Sequence, residues 1–240
     1  YASYKEGYVV DENSFEFAHP ESDVRNAAVN RTKNIMTHLS VLEPCYYMIH
    51  ANQHYTWDFD GYKSSGMLWW ETKTYYKEEA VKSYQTLVAH AATLNGGTGK
   101  VLIENIANEG ATSSSFSATA AHLKWFCQQC PGLGVCLDVS HAVVNGINNP
   151  ATMMTELGSY IKAVHMHGNN SANGRDFHLI PGYSGGLYQV PPYSTVDNLN
   201  WGAIYSALIA TGYRGPFTYE LETYARDCIP SFNNMIHNYL

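Results

Sequence analysis

Between residues 132 and 182 the chain concentrates side chains that bind metals and move protons. The stretch reads GLGVCLDVSHAVVNG, then a short spacer, then IKAVHMHGNN and GRDFHLIPG. One apolar run, 135–137, ends at Asp138 with His141 just beyond, and a second, 161–166, holds His165 and leads to His167. Asp176 and His178 follow shortly after. Carboxylate and imidazole in one pocket suit a Zn, Mn, Fe or Co ion, and Cys136 is the one thiol placed among them, which argues against a thiolate-caged structural zinc. Held on such a set, a divalent ion polarises carbonyl or phosphoryl oxygens or activates water.

The same pattern recurs along the chain. Short predicted strands at 14–18, 45–49, 101–103, 134–137, 161–166 and 217–221 each meet a potential ligand: His19, His50, Glu104, Asp138, His165 and Glu220. A lone histidine at a strand end is more often a hydrogen-bonding residue than a ligand. Ligand types at the same end of successive strands are different, because parallel α/β barrels present their chemistry at the C-terminal ends of their strands. His38, His90, His122 and His237 fall in helical stretches and take the ordinary reading.

Helices must separate these strands. Ser22 or Asp23 can cap one running to about residue 42, stopped by Pro44. Residues 78–94 place Ala80, Val81, Tyr84, Leu87, Val88 and Ala91 on one face, and Asn95-Gly96-Gly97 ends the helix. Further helices are expected at 113–129, 152–157 and 200–211. The stretch 51–76 has no clean period and many aromatics, and a loop of this length in a compact domain is usually functional. Residues 182–193 form a second loop, rich in Gly, Pro and Tyr. No internal repeat, low-complexity tract or linker divides the chain, so 1–240 reads as one (β/α)-barrel domain.

Composition narrows the partners. With 240 residues and 45% hydrophobic content the chain can bury one large core. A net charge of −7 with only 14 Lys and Arg disfavours a protein that holds a long polyanion through many phosphate contacts. No apolar run approaches the roughly 18 residues a membrane span needs. YASYKEGYVVDENS lacks the basic-then-apolar order of a signal peptide, and five irregularly spaced cysteines make no disulfide framework. A reducing, cytoplasmic setting is expected. The Cys127–Cys130 CxxC stands alone and is read as core packing.

Four segments carry a resemblance. LIENIANEG, GVCLDVSHA, VHMHGNN with DFHLIPG, and GYRGPFTYELE resemble the strand-end motifs of the xylose-isomerase-like barrels. This superfamily holds sugar and sugar-phosphate isomerases and epimerases, and also the endonuclease IV type of abasic-site nuclease. The resemblance covers residues 14–222 and implies a TIM-type (β/α) barrel. His19 already matches the family's third strand, so the first two strands are lacking, or atypical and hidden in 1–13. The barrel then starts late, stays open, or is completed by a partner such as a second copy.

Carried over, Glu104, Asp138, His165 and Glu220 match the four-ligand divalent site of the isomerase branch, with Glu222 a rival for Glu220. His19, His50, His141, Asp176 and His178 match the additional positions through which the nuclease branch holds three zinc ions. The expected activity is a metal-dependent isomerase or epimerase: Mn, Mg, Co or Zn stabilises an enediolate while Glu104 and Glu220 take and return a proton. His167, Arg175, Trp57, Trp69 and Trp70 are candidate substrate contacts. The alternative is Zn-dependent phosphodiester hydrolysis at abasic sites in DNA. A multi-iron oxidative enzyme and an inactive barrel rank lower. Acidity and the missing strands favour a small sugar over DNA.

Overall fold

The computed structural model describes residues 3–5, 8–10, 17–18, 22–50, 53–54, 74–97, 99–107, 114–115, 119–144, 149–170, 176–182 and 197–220. Its centre is a parallel five-stranded sheet of β3 (Tyr46–His50), β5 (Lys100–Glu104), β7 (Leu133–Asp138), β8 (Ile161–Met166) and β9 (Phe217–Tyr219), neighbours in that order. The helices are α1 (Ser22–Leu39), α2 (Thr74–Ala91), α3 (Ala120–Gln129), α4 (Val139–Val144), α5 (Pro150–Leu157) and α6 (Trp201–Ala210). Strands alternating with helices in one parallel sheet make this an α/β barrel architecture.

Short strands occur outside this sheet. β1 (Ser3–Lys5) and β2 (Tyr8–Val10) pair antiparallel with each other, as do β4 (Gln53–His54) and β6 (Ser114–Ser115). The described residues of 1–13 thus pair with each other and add no strand to the parallel sheet. Of the strand expected at 14–18, Phe17 and Ala18 lie in a turn and the rest lies outside the described residues.

Helix boundaries follow local chemistry. Thr119 caps α3 by accepting from the His122 amide at 3.3 Å. The helix expected from residue 113 thus starts later, since the serines before it compete with their own backbone and Ser114–Ser115 pair as a strand. Asn149 caps α5 ahead of Pro150, and Asn200 caps α6 through the Ala203 amide. α2 begins at Thr74, inside the stretch read as loop.

Alternation along the strands separates two cores. Outward residues such as Val101, Ile103, Val135, Leu137 and Val164 pack beneath the helices, where Tyr84 stands edge-on between Phe17 and Phe126 with centroids 5.7 and 5.4 Å away. Inward residues Leu102, Cys136 and Ala163 form a second, small cluster with Tyr46 and Met48. The sheet curls enough for the Tyr46 and Thr218 hydroxyls, on its two edge strands, to meet at 3.2 Å. Two residues beyond each inward position stands a ligand type: Met48 leads to His50, Leu102 to Glu104, Cys136 to Asp138, Ala163 to His165, Thr218 to Glu220.

One irregularity is essential to that alignment. Val135 pairs with Ile161 but Cys136 pairs with Ala163, so Lys162 is an extra residue in β8. Because Lys162 is taken up as a bulge, His165 stays on the inner face; regular alternation from Ile161 through Lys162 would turn it outward. Gly134 lies against the bulge, where a Cβ would come within 2.6 Å of Lys162 and 2.7 Å of Leu102. No helix among the described residues is long and apolar enough to cross a membrane.

Candidate metal centre

Register brings the strand-end ligands level. His50 lies opposite Glu104, and Asp138 opposite His165. Glu104, Asp138, His165 and Glu220 each direct a ligand atom into a space where these atoms all lie within 4.8 Å of one another. His165 Nδ1 is 2.8 Å from Glu104 Oε1, 3.0 Å from Glu220 Oε2 and 4.0 Å from Asp138 Oδ2. Glu104 and Asp138 are almost wholly buried, while the Glu220 side chain is 42% exposed and faces the mouth.

These donors fit a divalent ion. Glu104 Oε1, His165 Nδ1 and Glu220 Oε2 are buried yet have no partner in hydrogen-bonding geometry among the described residues, despite their short separations. Polar atoms that crowd one point without aiming at each other are arranged as a coordination shell. Ligands bound at about 2.1 Å stand roughly 3.0 to 3.4 Å apart in octahedral or tetrahedral geometry, close to the separations seen. A mostly carboxylate set with one imidazole suits Mn, Co, Zn or Mg.

Electrostatics show how far the residues compensate one another. Burial works to raise the Glu104 carboxyl, but the His165 and His50 imidazoles beside it outweigh burial and hold it below the ordinary range. Burial likewise opposes ionisation of Asp138, and the His167 and His141 charges prevail and keep it low. His165 is lowered by burial but raised more by Cys136, Glu104 and Glu220. Burial pushes the Cys136 thiol up to about 11, so it is neutral beneath the cluster. His50, whose side chain is 61% exposed, reaches Glu104 Oε2 through Nε2 at 2.9 Å, and that contact raises its pKa.

A second cluster gathers His141, His167, Asp176 and His178. His141 donates Nδ1–H to the Asn105 carbonyl at 2.7 Å, and His178 donates Nδ1–H to the Glu220 carbonyl at 2.9 Å. Both then present Nε2 to Asp176 Oδ2, at 3.0 and 2.9 Å. An imidazole fixed through Nδ1–H to a backbone carbonyl, with Nε2 aimed at a carboxylate, is oriented as metal ligands are. Without an ion, both rings carry protons on Nε2. Burial works to lower them, but Asp138 and Asp176 push His141 up to about 10, and Asp176 pushes His178 up to about 9. Asp176 is held low in turn by His141 and His178, against burial.

His167 joins the clusters. Its Nε2 is 2.9 Å from Asp138 Oδ2, its Nδ1 is 3.7 Å from Asp176 Oδ1, and its ring stacks on His178 at 4.0 Å. Its side chain is 0% exposed, so it lies at the floor of both clusters. His178 has a left-handed backbone, φ 41°. Such strain in a non-glycine residue persists only where surrounding contacts over-determine it, which its two hydrogen bonds and the stack supply.

Asn105, with no role in the sequence reading, ties the floor together. Its Oδ1 accepts from the Asp138 amide and its Nδ2 donates to the Asp138 carbonyl, both at 2.7 Å. Asp138 Oδ1 meanwhile accepts from the Ser140 and His141 amides at 2.8 Å, capping α4 and so placing His141. Periodicity carries no signal for such a residue. His19, Glu222, Arg175, Trp57, Trp69 and Trp70 lie outside the described residues.

Comparison with known proteins gives the same architecture. The profile of the xylose isomerase-like TIM barrel family matches residues 3–234, and the chain belongs to that family. No curated protein sequence matches it. Among solved structures, a D-tagatose 3-epimerase-like protein matches with a TM-score of 0.66 and 18% identity, over 95% of this chain and 74% of the other. D-allulose 3-epimerase from Methylomonas sp., solved with D-allulose, matches at TM-score 0.61 and 14% identity over 92% and 66%. 3-Keto-D-glucoside 4-epimerase from E. coli matches at 0.60 and 14% over 94% and 75%. The chain thus spans about two thirds to three quarters of the length of these structures.

Proposed function

We propose that this xylose isomerase-like barrel is a divalent-metal-dependent sugar or sugar-phosphate isomerase or epimerase. The observation that carries this reading is the convergence of Glu104, Asp138, His165 and Glu220 on one point, where Glu104 Oε1, His165 Nδ1 and Glu220 Oε2 have no hydrogen-bond partner among the described residues. The similar barrels support the reaction class, since each named epimerase inverts a carbon beside a carbonyl. Such chemistry needs electrophilic polarisation of two neighbouring oxygens and a carboxylate on each side of the carbon. The ion would be held by the four residues and would supply the polarisation.

The chain's own residues divide the remaining work. Glu104 ends β5 and Glu220 follows β9, with β7 and β8 between them, so they reach a bound sugar from different directions. Glu220 is the more open to the mouth and takes the proton, and Glu104, steadied by His50 and His165, returns one to the opposite face. Asp138 is held by Asn105, the α4 amides and His167 and keeps its position throughout. His141, Asp176 and His178 line the same mouth and hydrogen-bond the sugar's hydroxyl groups.

One observation favours a second reading. His141 and His178 are preset through their Nδ1 atoms to offer Nε2 beside Asp176, and His50 could join Glu104 at a third position. Holding additional zinc ions, the same mouth would hydrolyse a phosphodiester at an abasic site. Metal titration into the stripped protein separates the two. Saturation at one equivalent, with mixed ketoses competing for the pocket, supports the isomerase. Saturation near three, with cleavage of an abasic oligonucleotide, supports the nuclease and overturns the first reading.

A further inference from the structure

The arm that carries Asp176 and His178 is fastened at a single carboxylate. Asp197 Oδ1 accepts from the Asn169 amide at 3.0 Å and the Leu199 amide at 3.1 Å. Oδ2 accepts from the Gly182 amide and from the Trp201 indole Nε1, both at 2.6 Å. These donors come from three places: the end of the segment after β8, the far end of the 176–182 arm, and the start of α6. Asn169 and Gly182 bracket the arm, so one side chain draws its two ends together. An ionised carboxylate meeting four N–H donors makes short, charge-assisted hydrogen bonds.

A backbone bridge lies beside this clamp. Gly168 and Leu179 form an isolated antiparallel bridge, with N···O distances of 2.6 and 2.9 Å. A Cβ on Gly168 would lie 2.7 Å from Asp197 Cγ and 2.9 Å from the Ile180 carbonyl. The bridge therefore closes against Asp197 only because residue 168 is glycine. One residue beyond Leu179's bridge, at position 178, the backbone adopts the left-handed conformation and the imidazole reaches the Glu220 carbonyl.

We infer that Asp197 is a positioning residue for the centre: it clamps the 168–182 arm so that His178 and Asp176 meet the strand-borne ligands. That the arm serves a reaction rests on the function proposed above, but the clamp itself does not. Asn in place of Asp197 keeps the shape yet turns an NH2 group toward N–H donors, which breaks part of the clamp.

The test uses protein stripped of metal and labelled with ring-15N histidine. His141 and His178 each donate a ring Nδ1–H to a backbone carbonyl, giving two protected ring protons as internal reporters. In Asp197→Asn the His178 proton should exchange faster by on the order of tenfold, the worth of a charge-assisted hydrogen bond, with the His141 proton unchanged. Trp201→Phe removes one donor and leaves the carboxylate intact. It should show the same selectivity with a smaller acceleration, and it serves if Asp197→Asn does not fold. Equal acceleration of both protons makes Asp197 a general fold residue and overturns the inference, as does no change in either. Since no metal is present, the outcome stands apart from whether the stripped protein later binds an ion.

Discussion

Around His165 three carboxylates face one imidazole, whereas around Asp176 three imidazoles face one carboxylate. Three carboxylates crowded in one place repel one another strongly, and His165 is the imidazole that stands near Glu104, Asp138 and Glu220 together. Asp176, by contrast, is neutralised by His141 and His178 on either side. The backbones differ as well. Glu104, Asp138 and His165 stand on paired parallel strands, while Asp176 and His178 sit on an arm. The difference teaches that the first cluster's donor set fits a cation, while the second closes on itself as a hydrogen-bond network.

The largest expected effect tests whether the clusters are separate sites. Glu104→Gln should lower affinity for the first equivalent of Mn or Co by more than the roughly 10- to 100-fold typical of an outer partner, and should end turnover. Asp176→Asn should leave that first equivalent within about tenfold of the original. Calorimetric titration of stripped proteins reads both. Equal losses in the two variants would merge the clusters into one site and break the comparison.

A smaller effect, of contrasting size, is expected in stability without metal. Asp176→Asn leaves His141 and His178 without their shared charged partner and should cost about 1.5 to 3 kcal/mol, the range for hydrogen bonds to charged groups. Glu220→Gln should change stability by about 0.5 kcal/mol or less, since its side chain is 42% exposed and two other carboxylates remain near His165. Urea unfolding of the stripped proteins measures each. A Glu220→Gln cost as large as that of Asp176→Asn would mean the first cluster is bonded internally after all.

The first cluster was readable from sequence because strand-borne ligands obey a period. An apolar run that stops at Glu104 or Asp138 declares both its strand and its end, and the family resemblance named the same positions. His165 was legible only in part. Its place in the lumen depends on β8 bulging at Lys162, and a bulge leaves no trace in apolar patterning. Of the strand expected at 14–18, the end gives way to a turn at Phe17 and Ala18, since alternation over so few residues is a weak signal. Asn105 and Asp197 were invisible for a shared reason. Each pairs with backbone groups far away in sequence, Asn105 with Asp138 and Asp197 with Asn169 and Gly182, and such pairing leaves no mark on the residues beside them.

The smallest effect is one of pH, and it belongs to the second cluster. His141 and His178 are raised to about 10 and about 9 in the folded, metal-free protein, from about 6.5 in an unfolded chain. A raised imidazole contributes stability fully below the unfolded value and loses it as pH climbs through the folded one. Asp176 is lowered, so its contribution is present above about 3.8 and fades only in acid. The stripped protein should therefore lose thermal stability steadily from near neutrality to pH 10. Asp176→Asn should make that decline shallower, chiefly through His178, since His141 keeps the Asp138 and Glu104 charges nearby. If ions occupy the second cluster, the alkaline decline should disappear in the loaded protein, because a metal takes the place of the Nε2 protons and is favoured as pH rises. Melting curves of wild type and Asp176→Asn across this range decide the matter. Parallel slopes would place the titrating groups elsewhere and remove the self-neutralising network from the account of the second cluster.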